Sequence, residues 1–142
     1  MIYTLDTNVI IDALRQPPEL DRLKAFLSWA LPSTVLSSVV AAELTAGARS
    51  EKARRLLDEA LLAAFARRAR IIAPSTAAWR HTGAVLARTG ASGTSASRQH
   101  DVLLAVQARE HGWTIVTRDV DFSALRPHVS GLQMIAPFPD RA

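Results

Sequence analysis

Short β-branched runs alternate with longer stretches of helical period along the whole chain, and that alternation limits the fold more than any other feature. The runs are residues 2–5, 34–37, 71–73, 113–117 and 132–135. Most are rich in Ile, Val or Thr and close on a polar residue or proline, the pattern of a buried strand. Strands separated by helices build a parallel sheet, because a parallel neighbour needs a long crossover that a helix supplies. Right-handed crossovers put every strand's C-terminal end on one edge of that sheet. The expected fold is α/β: one domain over residues 1–142, with a five-stranded parallel sheet and helices on both faces. Pro137 and Pro139 end the ordered chain and leave 137–142 as a loose tail.

The segments between the strands carry helix signals. Thr7 is a candidate N-cap for a first short helix that runs through Val9-Ile10-Ile11. Pro17-Pro18 breaks the pattern. Residues 19–31 then form a helix with Leu20, Leu23, Phe26, Leu27 and Ala30 on one face. Ser38 caps a helix over 39–49, and Ser50 caps a long one reaching residue 70, striped by Leu56, Leu57, Ala60, Leu61, Ala64 and Phe65. Ser75 caps a helix to residue 89, with Trp79, Thr82, Val85 and Leu86 on one face and Gly90 as its stop. Residues 91–97, rich in Ser, Gly and Thr, read as a flexible loop. Ser97 caps the helix over 98–111, which Gly112 closes. A short helix over 122–125 leads to the last strand. No internal repeat or low-complexity segment interrupts this order.

Acidic residues recur where such a sheet would bind a ligand. Asp6 stands at the C-terminal end of the first strand, the edge where open parallel sheets hold ligands. Taken alone it could equally be a cap or turn residue. Glu43 follows the second strand among Val39, Val40, Ala42, Leu44 and Ala46. Buried without a partner it would cost several kcal/mol, whereas on an exposed Ala-rich face it would need no explanation. Asp101 lies in the first turns of its helix, where the helix dipole favours an acid. Its face is otherwise Leu104, Ala105 and Ala108, which points it inward. Asp119 and Asp121 follow the fourth strand at once. Five of the thirteen acidic residues thus fall at one edge of a chain that carries a net charge of +4. Like charges this close raise one another's pKa unless a cation sits among them. Mg²⁺ or Mn²⁺, a hard ion with oxygen ligands, is the natural partner. Zinc fits poorly, since the chain has no cysteine and no His pair at ligand spacing. An ion held by carboxylates serves phosphate chemistry by activating water and neutralising phosphoryl oxygens. No nucleophile elbow, Walker loop or dinucleotide fingerprint competes with that reading.

Composition supports a helix-rich globular chain rather than a disordered one, with 49% hydrophobic and only 6% aromatic residues. The absence of cysteine excludes disulfides. Met1 opens directly on the first strand and no apolar run is long enough to span a membrane, so the expected location is the cytoplasm and no membrane partner is expected. The basic excess, nearly all arginine, suits either a polyanionic partner or an ordinary solvated surface. Arg49, Lys52, Arg54 and Arg55 gather at the start of the long helix, against its dipole, and are the candidate RNA-binding group. Arg67, Arg68 and Arg70 at its end complement the dipole and need no ligand.

The chain resembles PIN-domain ribonucleases, specifically VapC-type toxins of type II toxin–antitoxin pairs. The resemblance spans essentially the whole length. It rests on Leu5-Asp6-Thr7-Asn8-Val9-Ile10, on Ala42-Glu43-Leu44, and on Asp101-Val102-Leu103-Leu104-Ala105 through Gly112 to Thr117-Arg118-Asp119-Val120-Asp121-Phe122. It implies a strand order of 3-2-1-4-5, with the switch point beside Asp6 and Asp119. It implies that Asp6, Glu43, Asp101 and Asp119 form the family's catalytic, metal-binding quartet, with Asp121 as an additional metal ligand and Asn8 and Thr117 in support. It further implies a Mg²⁺-dependent endoribonuclease, an RNA substrate, a cognate antitoxin that blocks the active site, and a homodimer formed through helical surfaces. Where many relatives have Asn before the third acid, this chain has His100, read either as a donor to the site or, preferably, as an exposed residue without a role. His81, His111 and His128 read as surface or helix-end residues, and Trp29, Trp79 and Trp113 as core or subunit-interface residues.

Two other classes compete with this reading. A catalytically silent PIN-like module would keep the fold and hold RNA with its basic helices, but would then retain an acidic cluster to no purpose. A doubly wound phosphotransfer protein would need either a second Asp two residues after Asp6, where Asn8 stands, or a late Lys, whereas Lys24 and Lys52 both lie early.

Overall fold

The computed structural model of the chain describes residues 1–89 and 96–141, and the side chains of all of these except residues 96, 97, 120 and 121. Five strands form one sheet in the order 3-2-1-4-5, and every neighbouring pair is parallel. They are β1 (Tyr3–Leu5), β2 (Thr34–Ser37), β3 (Ile71–Ile72), β4 (Thr114–Val116) and β5 (Gln133–Ile135). β1 is central and wholly buried, with Leu5 opposite Val116 of β4. The chain moves outward from β1 through β2 to β3, then returns to the other side of β1 for β4 and β5. The reversal creates a crevice between β1 and β4 at their C-terminal ends, the position at which doubly wound sheets bind ligands.

The helices are α1 (Thr7–Arg15), α2 (Pro17–Ala30), α3 (Ser38–Gly47), α4 (Glu51–Leu57), α5 (Ala63–Ala66), α6 (Thr76–Arg88) and α7 (Ala96–His111). Pro17 and Pro18 begin α2 rather than break the chain. The first turn of a helix requires no N–H, and the fixed φ of proline suits it. α4 runs into α5 through a π-helical turn, Asp58–Leu62, that the sequence stripe does not reveal. Leu57, Leu61 and Phe65 of this run are buried while Leu56 stays 55% exposed. On α6 the inward stripe is Ala78, Thr82 and Val85, and Trp79, read as a core or subunit-interface residue, is 56% exposed at its margin and so is not in the core. Ser50 and Ser75 cap α4 and α6 as expected, accepting from Ala53 N at 3.0 Å and Ala78 N at 3.0 Å.

Two helix ends set the entry into strands. At Gly112, φ is +72° and the Trp113 N–H reaches back to Ala108 O at 2.8 Å, so α7 turns at once into β4. Arg70 N–H bonds Phe65 O in the same way, but there the left-handed residue is Ala69, with φ 53°. That helix therefore ends at Ala66 and not at residue 70. The Arg68 guanidinium bonds the free Ala64 carbonyl, in keeping with the dipole explanation of this basic end. Residues 137–142, expected as a loose tail, include a ring that packs: Phe138 stacks on Phe26 with centroids 5.5 Å apart. Among the described residues no helix is long and apolar enough to cross a membrane. The expected stop at Gly90 and residues 91–95 of the expected loop lie outside the described residues, as does the side chain of Ser97.

Candidate active site

The crevice between β1 and β4 is walled by acids from four separate stretches of chain. Asp6, Glu43, Asp101 and Asp119 line one cleft of ≈200 Å³ together with Thr7, Asn8 and Ile11. Asp6 follows β1, Glu43 lies in α3, Asp101 in α7, and Asp119 just beyond β4. Packing of α1 on α3 and of α3 on α7 closes the arc. The side chain of Asp121 lies outside the described residues.

Asp6 is the most constrained of these groups, at 6% exposure. It is itself the N-cap of α1, one residue before the Thr7 expected in that role. Its Oδ1 accepts from the Thr7 N–H at 2.8 Å and its Oδ2 from the Thr117 hydroxyl at 2.7 Å. The Thr117 oxygen in turn accepts from the Asp119 N–H at 2.9 Å. One buried hydroxyl thus fixes two of the acids across the β1–β4 crevice. Thr7, released from capping, donates through Oγ1 to Glu43 Oε1 at 2.9 Å. A parallel shift occurs at α3, where Ser37 rather than Ser38 is the cap, accepting from Val39 N at 3.1 Å. In both cases the last strand residue, or the one after it, has the extended backbone that a cap needs.

The carboxylates strain one another electrostatically. Burial raises the Asp6 pKa above its ordinary value, the bonds from Thr117 and Thr7 lower it, and Asp119 and Glu43 raise it again. Asp101 is pushed up to about 7, first by burial and then by Asp6, Asp119 and Glu43, with Arg98 opposing. Asn8 Oδ1 is buried in this neighbourhood without a hydrogen-bond partner. Among the described residues no three acidic or imidazole side chains are already drawn to cation-ligating spacing. An all-oxygen donor set, an orphaned amide oxygen and a carboxyl lifted to about 7 nevertheless suit a hard divalent ion, which keeps several of its waters when bound.

Some contacts here have no local sequence signal. His100 is not an exposed bystander, since its Nδ1 lies 3.5 Å from Glu43 Oε2. Arg118 crosses from the β4 loop to Asp12 Oδ2 at 3.0 Å and also pairs with Glu19, tying the loop that bears Asp119 to α1 and α2. Arg49, Lys52, Arg54 and Arg55 are all exposed, and Arg55 lies 3.6 Å from Glu51. Arg49 precedes α4 and the other three lie on it; α4 borders the cleft on its Glu43 side, where Ala53, Leu56 and Leu57 line a groove with Ile11 and Glu43.

Comparison with known proteins places this geometry. Residues 3–126 match the model of the PIN domain family. The chain is 31% identical over 142 residues to the plasmid stability protein StbB of Pseudomonas syringae pv. tomato, covering 94% of this chain and 96% of that one. Among solved structures, it is similar to VapBC2 from Rickettsia felis bound to a DNA fragment from its promoter, with 25% identity, a TM-score of 0.69, and coverage of 96% and 98% of the two chains. It is also similar to FitAcB from Neisseria gonorrhoeae, with 25% identity, a TM-score of 0.66, and coverage of 94% and 96%.

Proposed function

This chain belongs to the PIN domain family, and from that membership we propose that it is the toxin of a toxin–antitoxin pair, a metal-dependent endoribonuclease. The observation that carries the proposal is the single cleft lined by Asp6, Glu43, Asp101 and Asp119 at the sheet's switch point. Asp6, Glu43, Asp101 and Asp119, with Asp121, would hold Mg²⁺ or Mn²⁺. Bound there, such an ion would polarise a water and make it more acidic, and would neutralise charge on the phosphoryl oxygens.

The chain's own residues do the positioning. Thr7 N–H and the Thr117 hydroxyl hold both oxygens of Asp6, so that its carboxylate stays in one orientation. Thr7 Oγ1 holds one oxygen of Glu43, and His100 Nδ1 lies 3.5 Å from the other. Without metal, burial and the neighbouring acids raise Asp101 to about 7, so on binding of a cation among these acids it would lose its proton and be held as a carboxylate. Burial of Asp6 keeps bulk water from competing for it. The exposed cations Lys52, Arg54 and Arg55 of α4, with Arg49 just before it, would take phosphates of the RNA on the Glu43 side. The proposed partners are an RNA, a second copy of the chain, and an antitoxin that covers the cleft; the similarity to the VapBC2 assembly supports the antitoxin.

The test is to incubate metal-free protein with RNA, with and without Mg²⁺ or Mn²⁺. Cleavage with metal and none with chelator is expected. RNA bound but uncut under every condition would favour the silent module.

A further inference from the structure

Beyond Asp119 a second cavity opens at the C-terminal ends of β4 and β5. It holds ≈480 Å³, within the roughly 300–1,000 Å³ typical of small-ligand sites. Asp119 lines both this cavity and the acid cleft, so the two adjoin at that residue. Ser123 and Arg126 supply polar lining, and Ile135 and Pro137 supply apolar lining. Ile135 is 36% exposed, a large aliphatic side chain left open at a sheet edge.

Charge decides what fits. Four carboxylates with one divalent ion among them still carry net negative charge, so cations just outside favour a polyanion held there. Two arginines line this cavity. Arg118 is committed to Asp12 and Glu19. Arg126 is exposed, and its guanidinium makes no hydrogen bond or ion pair with any described residue. A free planar donor beside an open apolar surface matches a ligand with both a phosphate and a flat ring. We propose that this cavity is the subsite for the nucleotide adjoining the scissile phosphate. Arg126 donates to its phosphate, and Ile135 with Pro137 offers its base an apolar face. This rests on the ribonuclease reading above and adds to it where the flanking nucleotide sits.

The experiment measures binding of a short mixed-sequence single-stranded RNA with Mg²⁺ present, in an Asp6→Asn background that does not cut, across a range of salt. Arg126→Ala should weaken binding about five- to tenfold and flatten the slope of log K against log salt by about 0.7, one phosphate contact on a single strand. Arg126→Lys should keep the slope. In the cutting protein, Ile135→Ser should change the base preference beside the cut and leave the salt slope alone. Unchanged melting temperatures would show that the variants fold. If Arg126→Ala keeps affinity and slope while the wild type still cuts RNA with metal, the subsite is wrong and the ribonuclease reading stands. If Arg126→Ala leaves RNA binding intact but shifts the monomer–dimer equilibrium, the cavity belongs to a protein interface and the proposal is overturned. If the wild type neither binds nor cuts RNA, both fall.

Discussion

Asp101→Asn should make the metal-free protein more stable, by an amount that grows with pH. The folded Asp101 is pushed from 3.8 to about 7 by burial and by three neighbouring acids. Between those values the folded protein holds a proton that the unfolded chain has released, so stability falls as pH rises through the window. Below it Asp101 contributes nothing, and above it the loss is complete. The shift of about 3 units corresponds to ~4 kcal/mol at 1.36 kcal/mol per unit. The carboxyl is only half-buried and opens on the cleft's water, so screening reduces this to about 1–2 kcal/mol. Asparagine keeps the shape and removes the charge. In chelator the variant should match wild type near pH 4 and exceed it by about 1–2 kcal/mol at pH 8, roughly 2–8 °C in melting temperature. Taking the difference between variant and wild type cancels groups that titrate alike in both. Mg²⁺ should raise the wild type's melting temperature at pH 8 more than the variant's. A variant no more stable than wild type at pH 8, or one whose advantage is the same at pH 4, would refute the mutual repulsion on which this reasoning depends.

Two further outcomes follow from the same geometry. Thr117→Val deletes the hydroxyl that donates to Asp6 Oδ2 and accepts from Asp119 N–H; it should cost about 1–3 kcal/mol of stability by denaturant melts and lower kcat well before KM rises, whereas Thr117→Ser should restore both. Neutralising Arg49, Lys52, Arg54 and Arg55 together should weaken RNA binding and flatten its salt dependence with stability within about 0.5 kcal/mol of wild type; an unchanged slope in filter-binding assays would assign the group to solvent or to a protein partner.

The strand–helix alternation carried most of the fold, because period two and period 3.6 leave different marks and parallel strands leave little choice of layers. The convergence of Asp6, Glu43, Asp101 and Asp119 was legible for a related reason: Asp6 and Asp119 follow strand ends, Glu43 and Asp101 lie in the second turn of helices that start at that edge, and topology brings such positions together. The strand order came through the family resemblance, and the paired registers agree with it. What the sequence hid was either a matter of one residue or a matter of distance. Caps fell one position early, at Asp6 and Ser37, because two adjacent polar residues both qualify and only backbone geometry separates them. Pro17-Pro18 looked like a breaker because proline terminates one helix and starts another with equal ease. The π turn at Asp58–Leu62 leaves the Leu57, Leu61 and Phe65 stripe in place and so has no signature in the apolar pattern. The contacts of His100 with Glu43 and of Arg118 with Asp12 and Glu19 join residues far apart in sequence, where no local rule reaches.

The most direct measurement is calorimetric titration of Mn²⁺ into metal-free wild-type protein and into Asp119→Asn, with RNA cleavage followed on the same samples. A saturable site in wild type, weakened at least tenfold in the variant together with its cleavage, is the expected result. Equal Mn²⁺ affinity in both proteins, or full RNA cleavage by wild type in chelator, would contradict a metal-dependent ribonuclease centred on this cleft.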